Sequence, residues 1–241
     1  MAYEYKVVKL DEKALNDYGQ AYWEAVGVTD DNVLLKRDTA LEAVINGLRD
    51  HPPGTTLTAL CLCPLSPLSM GILDCYESLK SLGTSDELRS SWFGALTARG
   101  HSNGNSEFFE IHKSGRIVFG RIDILNPARP EVVINANVAL WVVEQLKVMV
   151  DRLNRWEYVD NVGAVLTMNG VRGHFIQTGG FAGDRLSVQM NSAQVYSEAS
   201  VEEVFADGRS ILASRLYGLL RSHLGSPFNR SFDEEGRIRR S

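Results

Sequence analysis

Residues 107–125 read EFFEIHKSGRIVFGRIDIL, and the fold class turns on them. An apolar, aromatic arm, a KSG centre with a turn glycine at Gly115, and the alternating run RIVFGRIDIL together spell a β-hairpin. A hairpin pairs its strands antiparallel. Working outward, TLTALCLC at 56–63 reads as a strand that turns at Pro64. Downstream, Pro127 and Pro130 bracket a bend before EVVI, and GAVLTM, HFIQT and DRLSVQM follow, the first two flanking the turn NGVRG.

Helical spacing surrounds these strands. Leu68, Ile72, Tyr76 and Leu79 recur at three-to-four intervals and stop near Gly83. Asn137 to Trp156 predicts the longest helix, apolar almost all round through Val143, so that its first half is expected to be deeply buried. Val204, Phe205, Leu212, Leu216, Leu219 and Leu220 share one face of a last helix over Val201–Leu224. Gly94 to Ser106, which contains ARGHSNGN, reads as a loop. At the start, YEYKVVKL (3–10) alternates as a strand, and Leu15, Tyr18, Tyr22 and Val26 suggest a helix over Glu12–Val26. Asp38 or Thr39 caps a second helix through Leu48, which HPPG ends. The order predicts an α+β fold: a mainly antiparallel central sheet packed by a long buried helix and a C-terminal amphipathic helix. The organisation expected is an N-terminal strand-helix-helix segment (1–54), an α+β core (55–225) and a tail (226–241).

The 241 residues are 44% hydrophobic and 23% charged, enough for a sizeable core, and carry a net charge of −5. That balance argues against the basic footprint of a nucleic-acid-binding protein. Three cysteines without framework spacing point to a reducing, cytoplasmic setting. The uncharged run Gly54–Leu73 contains Pro64, Pro67 and five Ser or Thr residues, which spoil a membrane helix.

Candidate chemistry is sparse. Cys61 and Cys63 sit two apart on a strand and so share a face, but zinc needs further ligands, and buried structural thiols explain them. The five histidines are scattered without a His-x-x-x-His pair, and His112 reads as an exposed strand residue. TGGFAGDRL (178–186) is glycine-rich, yet a strand pattern follows it and no Lys is present, so a β-β connection fits better than a phosphate loop. Glu110 and Lys113, three apart, fall on opposite strand faces and cannot share a metal. No Gly-x-Ser-x-Gly occurs. Glu202, Glu203 and Asp207 suit the positive end of a helix dipole. Trp141 and Trp156 belong to a core helix. Trp92 and Phe93, which precede a polar segment with Arg99 and His101, are the best candidates for a ligand or partner face. No metal and no cofactor is expected.

From about residue 55 to 236 the order of signals resembles the C-terminal region of bacterial Schlafen-like proteins with an AlbA-type DNA-binding domain, often labelled ATP-binding. The resemblance runs through ALCLCPLSP, FFEIHKSGRIVFG, NVGAVLTMNGVRGHFI and the closing LLRSHLGSPFNRSFDEEGRIRRS. The family's AlbA-type domain, with its acidic-lysine site, has no counterpart in residues 1–54, so its chemistry transfers to no residue here. The tail is then a closing segment in which Phe232 packs back and Arg237, Arg239 and Arg240 are solvated. The leading reading is a non-catalytic sensor, scaffold or partner-binding module, homo-oligomeric or with a protein partner, acting with a separate effector in bacterial regulation or defence. The rival is an enzyme acting on nucleic acid or nucleotide near Arg99, His101 and TGGFAGD.

Overall fold

A computed structural model describes residues 3–9, 23–28, 32–38, 54–66, 68–80, 89–91, 94–100, 105–125, 131–177, 185–204, 210–226, 231–233 and 235–237. The chain forms two compact units, Met1–His51 and Pro52–Ser241. In the first, β1 (Tyr3–Lys9), β2 (Trp23–Val28) and β3 (Asn32–Asp38) make an antiparallel sheet in the order β1-β3-β2. The strand expected at 3–10 is therefore present. The helix expected over Glu12–Val26 is corrected at its end, since Trp23–Val26 lies in β2. Trp23, Val26 and Val28 are strand formers, and Gly27 sits where the register against β3 shifts after Ala25. The rest of that expected helix, and the one from Thr39 to Leu48, lie outside the described residues.

The second unit is built on seven strands in the order β13-β10-β4-β8-β7-β6-β5. They are β4 (Thr55–Pro64), β5 (Arg89–Ser91), β6 (Gly94–Gly100), β7 (Ser106–His112), β8 (Ile117–Ile124), β10 (Asn161–Asn169) and β13 (Ser192–Ser200). Every pairing among them is antiparallel. The 107–125 hairpin forms as read. Its turn closes through His112 N–H to the Arg116 carbonyl at 2.8 Å, with Gly115 at φ 82°. Three strands of this sheet were not foreseen: the short β5, β6 and β13. β6 replaces the loop expected from Gly94, because Ala95 and Thr97 turn inward and are buried. β13 carries Ala193, Val195 and Ala199 inward, small side chains that leave room for a helix above them. A second small sheet, β12-β11-β9, uses β9 (Val132–Ile134), β11 (Phe175–Gln177) and β12 (Arg185–Ser187). Its β9–β11 pair is the parallel exception.

The main core lies against one face of the large sheet. Leu60 and Leu62 of β4, Val162, Ala164 and Leu166 of β10, and Ile117 and Phe119 of β8 point into the core. Over them lie α1 (Ile72–Lys80), α2 (Ala136–Arg155) and α4 (Ile211–His223). α2 starts at Asn135, whose side chain accepts from Asn137 N–H, and ends as Glu157 turns left-handed at φ 56°. Its burial is a stripe along the whole length, from Val138 to Leu153, rather than a deeply buried first half: Leu140 is 45% exposed. The single last helix expected from Val201 is two elements, α3 (Val201–Val204) and α4, the latter begun by Ser210, whose Oγ accepts from Ala213 N–H and donates to the Val204 carbonyl. Leu212, Leu216 and Leu220 are fully buried, but Leu219 is 46% exposed. Phe232 packs back as expected, 3% exposed and 5.9 Å from the Tyr217 ring. The tail also bonds to the body, since the Gly236 carbonyl accepts from Ser210 N–H at 3.1 Å.

Candidate functional site

Of the residues singled out in the sequence, Trp92, Phe93 and His101 lie outside the described residues, as does the 178–184 glycine-rich stretch. Arg99 falls in β6, its backbone paired with Glu107 of β7. The structure therefore brings none of the four together in a described site.

The thiols are placed as the alternation predicts. Leu60, Leu62 and Pro64 face the helices, while Cys61 and Cys63 lie half-buried on the opposite face. Desolvation pushes the Cys61 thiol up to about 12, only partly opposed by the Arg116 guanidinium. A thiol held protonated is a poor nucleophile and a poor metal ligand. Cys75 is buried in α1, and burial raises it too. Among the described residues, no three His, Cys, Asp or Glu side chains converge on a metal-sized space.

His112 corrects the sequence reading: it is 5% exposed, not a surface residue. Its Nε2 lies 2.8 Å from Glu110 Oε1, and Arg116 Nη2 lies 2.7 Å from its Nδ1. This Glu–His–Arg cluster closes the end of the hairpin and commits the imidazole to neighbours in its own strand and turn. Arg221 is a buried cation, 3% exposed. Its Nη2 donates to the Gln177 carbonyl and Ser226 Oγ, and its guanidinium lies 5.7 Å from the Tyr217 ring centroid. Those bonds fasten the end of α4 to β11, which is a structural task. An open cleft of about 400 Å³ between Leu68–Met70, α1 and Trp156 carries Asp74 and Glu77 but, among the described residues, no cation or base in its lining.

The outer edge of β13 is also exposed. Alternate residues of an antiparallel strand turn both N–H and C=O to the same side. β10 turns its odd positions toward β4, since the Asn161 carbonyl accepts from Leu65 N–H at 3.1 Å. Its even positions face β13, opposite Ala199, Ser197, Val195 and Ala193. Ser192, Gln194, Tyr196, Glu198 and Ser200 consequently direct their backbone groups away from the sheet. Two outward groups at the far end are satisfied: Ser200 N–H donates to Glu203 Oε2, and the Glu198 carbonyl accepts from Arg215 Nη1. The outward groups of Ser192, Gln194 and Tyr196 have no such partner among the described residues.

Apolar side chains flank this edge. On one side Tyr196, 51% exposed, lies over Gly163 beside Leu65, 45% exposed. Its hydroxyl donates to Glu198 Oε1 at 2.5 Å, a bond that raises the phenol above its ordinary value. On the other side Ile211, Arg215 and Leu219 form one exposed stripe of α4, from which Arg215 reaches the edge. β13 runs nine residues without a bulge, Pro or Lys, the usual devices that blunt an edge. The sequence signal was available in part, in the alternation of Ala193, Val195 and Ala199, but Ala and Ser are too weakly apolar to mark a strand. No protein family model matches the chain, and no curated protein matches it either. No helix among the described residues is long and apolar enough to cross a membrane.

Proposed function

We propose that this chain is a non-catalytic partner-binding module that works by strand addition at β13. The observation that carries the reading is the nine-residue edge whose outward amides and carbonyls have no partner among the described residues at Ser192, Gln194 and Tyr196. An incoming strand gains main-chain hydrogen bonds there, and the flanking Tyr196, Leu65, Ile211 and Leu219 offer apolar contact to its side chains. The partner is accordingly a polypeptide that presents an extended segment. The most reactive-looking side chains support the same reading, because Cys61 is held protonated and His112 is committed to Glu110 and Arg116. The setting beside a separate effector in bacterial regulation or defence rests on the Schlafen-like order of sequence signals, and the cytoplasmic compartment on the three cysteines without framework spacing.

A photo-cross-linking residue at Gln194 tests this, with the same residue at exposed Asp151 of α2 as control. Expressed in its host, the chain should give a polypeptide adduct from position 194 and none from position 151. No adduct, or equal adducts from both positions, overturns strand addition.

A further inference from the structure

We infer that the strand added at β13 is the β13 of a second copy of this chain, joined across a twofold axis. The inference rests on the strand-addition reading and names its partner. An edge pairs with itself antiparallel only if one surface can be both donor and acceptor to its own image. β13 meets that requirement. With the axis at Val195, Gln194 of each copy lies opposite the partner's Tyr196, and Ser192 opposite the partner's Glu198. Each outward residue then exchanges N–H and C=O bonds with its opposite number, about eight bonds in all for an antiparallel ladder of this length. The Glu198 carbonyl retains a second lone pair beside the one that receives Arg215.

Charge points to the same partner. The chain carries −5 overall, a charge that would oppose indiscriminate self-association. Along this edge, however, the strand's one acid and the Arg172 cation lie at opposite ends, although Arg215 is held at the Glu198 carbonyl beside the acid. Glu198 lies at the C-terminal end of β13. Arg172, exposed, donates from its Nε to the Gln189 carbonyl at 3.1 Å and so stands by the N-terminal end. Twofold pairing brings each Glu198 toward the partner's Arg172 and keeps the two Glu198 carboxylates apart. On the helical side, the Ile211–Leu219 stripe of α4 meets its own image across the axis. Two seven-stranded sheets thereby become one continuous sheet with helices packed across the seam.

Sedimentation equilibrium of the full chain, up to about 100 µM and thus far above the Kd of a µM-class complex, reads the result directly. The expected mass is twice 26.7 kDa. Gln194→Pro removes one outward N–H at a position an edge strand tolerates. It should give a monomer whose far-ultraviolet spectrum matches the parent and whose melting temperature matches that of the parent in dilute, dissociated solution. Should that variant misfold, the charge pair supplies the test. Glu198→Arg should weaken the dimer at least tenfold, and adding Arg172→Glu should restore it. A monomer at every concentration, or a dimer indifferent to both the Pro and the charge variants, overturns the inference. If the chain is monomeric while position 194 still cross-links to a different polypeptide, the second copy is wrong and strand addition stands.

Discussion

Replacing Phe232 with Ala asks whether the C-terminal segment is part of the folded body. Phe232 is 3% exposed and tilted against Tyr217, whose hydroxyl donates to the Asn135 carbonyl at the start of α2. Truncation removes the transfer energy of a buried ring and leaves a cavity between α4 and the tail, at a cost of about 3–5 kcal/mol. For a unit of this size each kcal/mol lowers the melting temperature by about 2–4 °C, so the variant should melt roughly 6–20 °C early. Stopping the chain after Glu235 is a milder lesion. It removes the Gly236 carbonyl from buried Ser210 N–H, which should cost about 1–3 kcal/mol for an unsatisfied donor. Differential scanning calorimetry of both variants at a dilute, fixed concentration makes the comparison. A Phe232→Ala chain melting within ~2 °C of the parent, below what the loss of one kcal/mol brings, would show that the ring is not packed.

Within α4, Leu216→Ala should destabilise by about 2–5 kcal/mol in urea titration, whereas Leu219→Ala, at a half-exposed position, should fall within ~0.5 kcal/mol. Equal losses would contradict the rotation of the helix. Gly94→Ala should cost ~3 kcal/mol or more, the top of the overpacking range, because its Cβ would stand 1.8 Å from the Ile111 carbonyl oxygen, a backbone atom that cannot rotate aside. Gly163→Ala, whose three nearest neighbours are side-chain atoms of Tyr196 and Leu65 at 2.9–3.3 Å, should be the milder of the two; the reverse ranking refutes the β6–β7 geometry. The raised Cys61 thiol makes stability depend on alkaline pH. Its unfolded form ionises near 9 and its folded form near 12, so the unfolded chain releases the proton first. Stability should be intact below pH 9 and fall from there to 12, by at most about 1.4 kcal/mol per pH unit from this group. Cys61→Ala should flatten the profile, and an unchanged slope would remove the premise.

Alternation made the middle of the sheet legible. Leu60 and Leu62 against Cys61 and Cys63, and the two arms around Gly115, carry period-two signals strong enough to read without a structure. β13 was invisible for a packing reason: α4 lies on it, so its inward positions are Ala, Val, Ser and Ala, and closeness replaces hydrophobic bulk. β6 was hidden by the glycines that bound it. Gly94 must be glycine because the Ile111 backbone crosses where its side chain would stand. Trp23–Val26 was drawn into a helix by a stripe of apolar spacing that its own strand-forming residues outvote. Leu219 keeps helical rhythm with Leu212 and Leu216 yet faces outward, since periodicity gives an angle only to within a residue or so. The candidate site was least legible of all. That β13 is an edge depends on its lying beyond β10 in the sheet order, a long-range fact that no local stretch encodes.

Amide hydrogen exchange, resolved by residue along β13 and followed as the chain is concentrated, tests the central claim most directly. Ala193, Val195, Ser197 and Ala199, turned toward β10, should be protected at every concentration. Ser192, Gln194, Tyr196 and Glu198 should exchange freely in dilute solution and become protected together as the partner strand adds. Protection of both sets at the highest dilution would mean that the edge is already satisfied within one chain. Free exchange of the outward set at every concentration, with and without host extract, would mean that no strand is added there.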